Sequence, residues 1–376
     1  MRRGMVLAVA LALSLALVAT ALAAPGSRFR PAKHGNIGVV AAESWDAARA
    51  GKAVLERGGN AIDAAAANVF AAGVARPQSC GIGGGGFLVY RSNRGGTNTL
   101  DFRETAPAAF RADSLSGPGL HREFTGHLTV GVPGTVAGMA EALDKYGTIT
   151  LAEALRTAER YARRGIRIPA SMSKAMEDNA RRLALFPAAR ARYLEADGTA
   201  LEPGETLRQP ELGASIRLLM REGPKALYGG ALASAIVRDM RAPRPDTKDP
   251  GLLTVKDFAA YKPVWRAPVR TRYRGRLVVG MPPPTSGGVA IAEMLGILER
   301  FDLTGAGAGS ADALHLVAEA QKIAFADRGR YLADPRLVPQ PTGTLISKTY
   351  TGTRASEIRL DRTGNYVAAV DPPTQR

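Results

Sequence analysis

A single cysteine, Cys80, in a chain of 376 residues excludes an internal disulfide and leaves stability to core packing. The four histidines, His34, His121, His127 and His315, share no metal-ligand spacing with one another or with Cys80, so neither a metal site nor a cofactor is expected. A Cys80–histidine nucleophile pair stays open, but a small thiol buried among glycines is the expected state of Cys80. There is no Gly-x-Ser-x-Gly elbow and no phosphate-binding Gly-Lys-Ser/Thr loop. Aromatic residues make up only 6%, and the arginines are scattered, from Arg160 and Arg163 to Arg270 and Arg276. Despite a formal charge of +16, this pattern reads as a solvated basic surface and not as a nucleic-acid module.

Only the first residues hold a long apolar run. Met1 to Ala24 carries Arg2 and Arg3, a charge-free stretch from Met5 to Leu22, and Ala21-Leu22-Ala23 at its end. These are the parts of a secretory signal peptide, so a periplasmic or secreted protein is expected. Nothing later approaches the roughly 20 apolar residues that a membrane span needs. At 45% hydrophobic overall, the chain can build a core. We expect one domain over residues 25–355 and a mobile tail over 356–376, where periodicity weakens.

Ser44 caps a short helix that Gly58-Gly59 ends, and an Ala-rich, buried helix follows from about Ala61 to Ala75, with Asp63 and Asn68 its only strongly polar side chains. The runs Phe87 to Arg91 and Thr99 to Glu104, joined through Asn93-Arg94-Gly95-Gly96, read as a β-hairpin. Thr150-Leu151-Ala152-Glu153 is a capping box whose helix should stop near Gly165. Further helices are expected around 170–186, 210–221, 225–241, 254–261, 288–300 and 311–332, with a second hairpin over Val269 to Tyr273 and Leu277 to Met281. Without regular βαβ alternation, the fold class is α+β and helix-rich.

Gly81-Ile82-Gly83-Gly84-Gly85-Gly86 satisfies a dinucleotide-binding pattern in form, but a helix precedes it and a strand follows, the reverse of what that motif needs. Such glycines bring backbone close to a ligand or another chain, or simply make a tight turn. Alternation along the second strand puts Leu100 and Phe102 on one face, and Asp101 and Arg103 on the other. Arg103 is the candidate substrate contact, because a guanidinium on a rigid element can grip a carboxylate with two parallel hydrogen bonds. From spacing alone, neutralisation by Asp101 or Glu104 is the competing and favoured reading. Ser286-Gly287-Gly288 opens a helix and is either an anion site or only a helix start.

Taken together, Gly58 to Ala65, Pro77-Gln78, Gly83 to Phe87, Asp101-Phe102-Arg103-Glu104-Thr105-Ala106-Pro107, Pro133 to Gly138, Asp144 to Gly147, Met281 to Gly288 and Ala326-Asp327-Arg328 resemble the large subunit of γ-glutamyltranspeptidases, in order, from about Gly35 to Pro335. The resemblance implies an N-terminal-nucleophile hydrolase of αββα sandwich type, made as an exported precursor that cleaves itself in two. It implies a threonine nucleophile on the small subunit, whose freed α-amine serves as general base, and transfer of a γ-glutamyl group from substrates such as glutathione to water or an amine. It assigns the α-carboxylate contact to Arg103, against the spacing-based preference, with Asp101, Glu104, Gly85 and Gly86 in supporting places. The chain stops at Arg376, about where the processing threonine is expected, and Thr374 lacks the sequence that should follow a nucleophile. Either a processed large chain or a truncated precursor is therefore expected, with the small subunit as partner and no turnover alone. A β-lactam (cephalosporin-type) acylase or a γ-polyglutamate-cleaving relative shares the framework, and a catalytically inactive orphan chain binding γ-glutamyl compounds or a partner is the alternative of another class.

Overall fold

The computed structural model describes residues 38–116, 125–242 and 250–369. The signal peptide, His34, His121, Thr374 and the Pro-Pro end of the tail lie outside these residues. Contacts divide the chain into a unit ending at Ala41, of which only Gly38 to Ala41 are described, in irregular backbone, and a unit from Ala42 onward.

Two helices open it, α1 (Trp45–Leu55) and α2 (Ala61–Ala75). Asn60 caps α2, and Asp63 answers from the third helical position by accepting the Asn60 backbone N–H, which completes a capping box. Being mostly alanine, α2 lets α1 and α4 (Leu151–Arg164) approach on two sides. Between them in sequence lie the hairpin β1 (Phe87–Arg91) and β2 (Thr97–Asp101), and α3 (Thr135–Tyr146). Thr150 and Glu153 form the expected capping box on α4, which ends at Gly165 with φ 93°, a left-handed conformation that suits glycine.

The helix expected over 170–186 is interrupted. It runs as α5 (Ala170–Asp178), a single turn, and then α6 (Pro187–Tyr193). The break falls at Asn179, whose side chain donates to the Ala175 carbonyl at 2.8 Å, and Pro187 starts the next helix. After β3 (Ile166–Arg167) and β4 (Thr206–Leu207), which pair with each other, comes α7 (Pro210–Glu222), packed on α4. The helix expected from 225 begins only at α8 (Ala231–Arg241), because Gly229, with φ 104°, and Gly230 break the chain before it. Next follow α9 (Val255–Ala260) and the short strand β5 (Val264–Arg266), which pairs antiparallel with β2 and makes a three-stranded sheet in the order β1-β2-β5. The second hairpin, β6 (Val269–Tyr273) and β7 (Arg276–Gly280), forms as expected. The chain continues with α10 (Gly287–Leu298), the long α11 (Ala311–Tyr331) and α12 (Lys348–Ala355).

The main core gathers Phe70, Leu100, Val136, Leu155, Ile216, Leu219 and Phe258, from α2, β2, α3, α4, α7 and α9. A second core, with Ile297, Leu316 and Ile323, joins α10, α11 and the end of α12. Residues 356–369, expected as the start of a loose tail, form no helix or strand, but side-chain hydrogen bonds from α11 and α12 hold them.

Candidate active site

The β2 strand ends at Asp101, two residues before Arg103, yet the extended backbone continues. Phe102 exchanges backbone hydrogen bonds with Gly86 (3.0 and 3.2 Å), and Thr105 bridges to Val132. The expected alternation holds. Leu100 and Phe102 are buried in the core, while Asp101 and Arg103 face a cleft of about 220 Å³ that Glu104, Tyr261, Arg266 and Arg336 also line. Pro284, from the loop before α10, closes one side.

Asp101 does not neutralise the Arg103 side chain. Its Oδ2 accepts from Arg266 Nε at 3.0 Å and sits 2.8 Å from the second Arg266 nitrogen, a paired contact across the β2–β5 ladder. Its Oδ1 accepts from the Arg103 backbone N–H at 3.0 Å. One carboxylate therefore fixes the Arg103 main chain while Arg266 absorbs its charge. The Tyr261 hydroxyl donates to the Arg103 carbonyl at 2.9 Å. Tyr261 stacks on Tyr228 with ring centroids 5.5 Å apart, and Tyr228 donates to the Pro133 carbonyl at 2.8 Å. Burial pushes both phenols well above their ordinary range, so they remain hydrogen-bond donors at any physiological pH. Held at its N–H and its carbonyl, the exposed Arg103 guanidinium has no hydrogen bond or ion pair among the described residues. On the far wall, hydrogen bonds from Arg336 hold Asp334 below the usual carboxylate range, so that acid too is matched by an arginine.

Gly85 and Gly86 support this arrangement from beneath. A Cβ on Gly85 would lie 2.6 Å from the Phe102 carbonyl oxygen and 2.8 Å from the Glu104 nitrogen, and one on Gly86 would lie 2.9 Å from the Phe102 ring. The Gly84 carbonyl accepts from the first backbone N–H groups of α3, Gly134 at 2.8 Å and Thr135 at 3.0 Å. Within this chain, then, what the glycine run approaches is the 102–104 backbone. Gly83 has open space around it.

Other candidates lie elsewhere or are already engaged. Cys80 is exposed, contrary to the buried thiol expected. It follows the end of α2 in a turn, its N–H bonded to the Arg76 carbonyl, and the surface course of that loop leaves the thiol in water. His127 and His315 bond to the carbonyls of Met240 and Arg359. No cluster of three potential metal ligands occurs among the described residues. The Ser286 hydroxyl accepts from Arg328 at 2.9 Å. A larger cavity of about 360 Å³, lined by Met172, Met176 and Phe186, contains none of the predicted site residues. Sequence reasoning missed Arg266 and Tyr261. The signal for Arg266 was the short β-branched and aromatic run Val264-Trp265-Arg266, too brief to stand as a strand without its partner.

A helix-rich α+β chain with this site has the fold of N-terminal-nucleophile hydrolases. The crystal structure of the γ-glutamyltranspeptidase of Helicobacter pylori matches it with a TM-score of 0.84 and 33% identity, over 89% of this chain and 95% of that one. The family model described as gamma-glutamyltranspeptidase matches residues 47–375, and the chain belongs to that family. The glutathione hydrolase proenzyme of Escherichia coli (strain K12) is 39% identical over 86% of this chain and 56% of its own length. The acylase ACY 1 proenzyme of Pseudomonas sp. (strain V22) is 41% identical over 89% of this chain and 61% of its own length. The chain thus spans between 56% and 61% of these two curated relatives. Among the described residues no helix is long and apolar enough to cross a membrane.

Proposed function

We propose that this chain is the large-subunit part of an exported γ-glutamyltranspeptidase that cleaves γ-glutamyl amides such as glutathione. The γ-glutamyl group passes through a threonine ester to water or an acceptor amine, and the threonine belongs to a small subunit that pairs with this chain. Arg103 receives the α-carboxylate of the donor, Asp101 and Glu104 flank it, and Gly85 and Gly86 hold its backbone in place. The observation that carries this reading is the unpaired Arg103 guanidinium, on a main chain held at its N–H and its carbonyl, in a cleft where Asp101 is already matched by Arg266. A planar cation with unused donors suits a carboxylate that presents two oxygens. The small subunit supplies the α-amine base, whose reference pKa of about 7.7 to 8.0 lets it accept the hydroxyl proton near neutrality.

In the two-chain protein, Arg103→Lys should lose most γ-glutamyl turnover, at a cost of about 2 to 5 kcal/mol in kcat/KM. Unchanged kinetics on a γ-glutamyl anilide would remove the carboxylate assignment. The 41% identity to an acylase supports a second reading, in which the same framework deacylates a cephalosporin-type β-lactam. Assaying a γ-glutamyl anilide beside an acylated cephalosporin separates the two. If neither donor is turned over with a second chain present, the inactive, ligand-binding reading is left.

A further inference from the structure

The register of the β2–β5 ladder can be followed past its end. Thr99 stands opposite Arg266, Leu100 opposite Trp265 and Asp101 opposite Val264, so two residues further on Lys262 stands opposite Arg103. Pro263 has no N–H to donate, and the ladder stops there. The side chains nevertheless continue one face: Asp101, Arg103, Lys262, Val264 and Arg266 all line the cleft. Tyr261, next to Lys262 in the chain, keeps the two backbones together through its bond to the Arg103 carbonyl at 2.9 Å.

Opposed residues of antiparallel strands have Cβ atoms about 5 Å apart, and diagonal ones about 7 to 8 Å. Asp101 has Arg266 on its diagonal and pairs with it. Arg103 has the apolar Val264 on its diagonal and a second cation directly across, and like charges so placed are unfavourable. Lys262 is exposed and, like Arg103, has no hydrogen bond or ion pair among the described residues. Glu104 does not relieve them. A Cβ on Gly85 would lie 2.9 Å from its Oε2, which puts this carboxylate over the glycines on the β1 side of β2, away from β5. With Asp101 held by Arg266 and Asp334 by Arg336, Arg103 and Lys262 are the two cations of the cleft left without an acid.

We propose that Lys262 is a specificity-determining contact for a second carboxylate, the one on the amine part of the donor, so that the site takes γ-glutamyl conjugates of amino acids and peptides in preference to neutral γ-glutamyl amides. The inference rests on the reading that Arg103 receives the α-carboxylate. Two parallel donors from Arg103 engage both oxygens of that group. The α-ammonium of the same head is repelled by Lys262. What is left for the lysine is an anion on the far side of the γ-amide, where an amino acid or peptide carries its own carboxylate. Repulsion between the two cations keeps their heads apart, which suits two carboxylates better than one. A point charge on a flexible stem fits that place, because the amines carried there differ in size.

The test compares γ-glutamylglycine with γ-glutamylethylamide, which differ only in ending on a carboxylate or a methyl group, in the two-chain protein. Lys262→Met should lower kcat/KM on γ-glutamylglycine about fivefold more than on γ-glutamylethylamide, the scale of one exposed ion pair. Taking variant against wild type on each donor cancels the difference between the two leaving amines. Lys262→Arg should keep most of the preference. Equal losses on both donors would overturn the proposal, since they would put Lys262 on the α-carboxylate or in the frame, and so would no loss on either. Arg103→Lys, by contrast, should weaken both donors alike, and its failure to do so would remove the α-carboxylate reading itself. Should the protein turn over neither donor, calorimetric binding of the same two compounds decides. Tighter binding of γ-glutamylglycine that Lys262→Met abolishes would support the contact while the enzymatic reading falls, and equal binding of the two compounds would overturn it.

Discussion

At Gly134 a methyl group has no room: a Cβ there would sit 1.8 Å from the Phe102 carbonyl oxygen and 2.3 Å from the Tyr261 hydroxyl. Both atoms belong to the frame that fixes Arg103, so Gly134→Ala should shift the very backbone that presents the guanidinium. We expect a loss of about 1 to 3 kcal/mol by urea unfolding. Gly83→Ala, in open space, should stay within about 0.5 kcal/mol. Equal effects at the two glycines would show that the close approach does not matter. The same frame makes Arg266 a second test. Replacing Arg266 with Met leaves the mostly buried Asp101 without its cation, and the expected cost is about 3 kcal/mol in urea unfolding. A smaller cost would mean that water reaches the carboxylate. Position 103 itself illustrates how little spacing says about partners. Asp101 stands two residues away in sequence, yet it bonds the Arg103 main chain and gives its charge to Arg266 on another strand.

Among the elements, α2 shows how one acid ties a helix to the rest. Asp63 is fully buried, and its carboxylate accepts from Asn60 N–H at 2.8 Å, Thr148 N–H at 2.7 Å and Thr148 Oγ1 at 2.6 Å. Burial raises its pKa, but these bonds outweigh that and leave it below the ordinary range. Asp63→Ala removes the reciprocal half of the α2 capping box and the link to the loop before α4 together, so it should cost about 3 kcal/mol, whereas Thr150→Ala, which removes only an exposed cap, should cost about 1 kcal/mol. Denaturant midpoints of the two variants give the comparison, and similar midpoints would mean that the link across to Thr148 is weak. The capping box on α4 is legible in the sequence, because Thr-x-x-Glu is a local pattern with a local cause. That Asp63 also serves residues 148 and 149, some 85 positions away, is not, since an acid in an alanine helix carries no sign of its distant partners.

Across the molecule, the titrating groups set a window of stability. Asp63 and Glu319 are depressed in the folded state, so the stability they contribute is present above their unfolded values and is lost as pH falls through the folded ones, which for Glu319 is about 2. Glu293 is raised to about 9, so the folded chain keeps a proton that the unfolded chain releases, and stability declines as pH rises from the ordinary glutamate range toward that value. Thermal melting should therefore peak at mildly acidic pH, about 5, and Glu293→Gln should flatten the alkaline side. A melting temperature that does not change between pH 5 and pH 9 in the wild type would contradict this. Near-neighbour patterns in the chain suffice for the helix-rich α+β class, both hairpins, the capped helices and the alternation that sends Arg103 away from the core, because each rests on local contacts and on period. Packing in three dimensions was needed to settle that Arg266 frees Arg103 from Asp101, that Tyr261 clamps its carbonyl, that Cys80 faces water, and that two acids on α11 hold the 363–369 segment. Those outcomes depend on groups that are remote in sequence and meet only when sheet and helices pack, and no local pattern encodes which acid will meet which arginine.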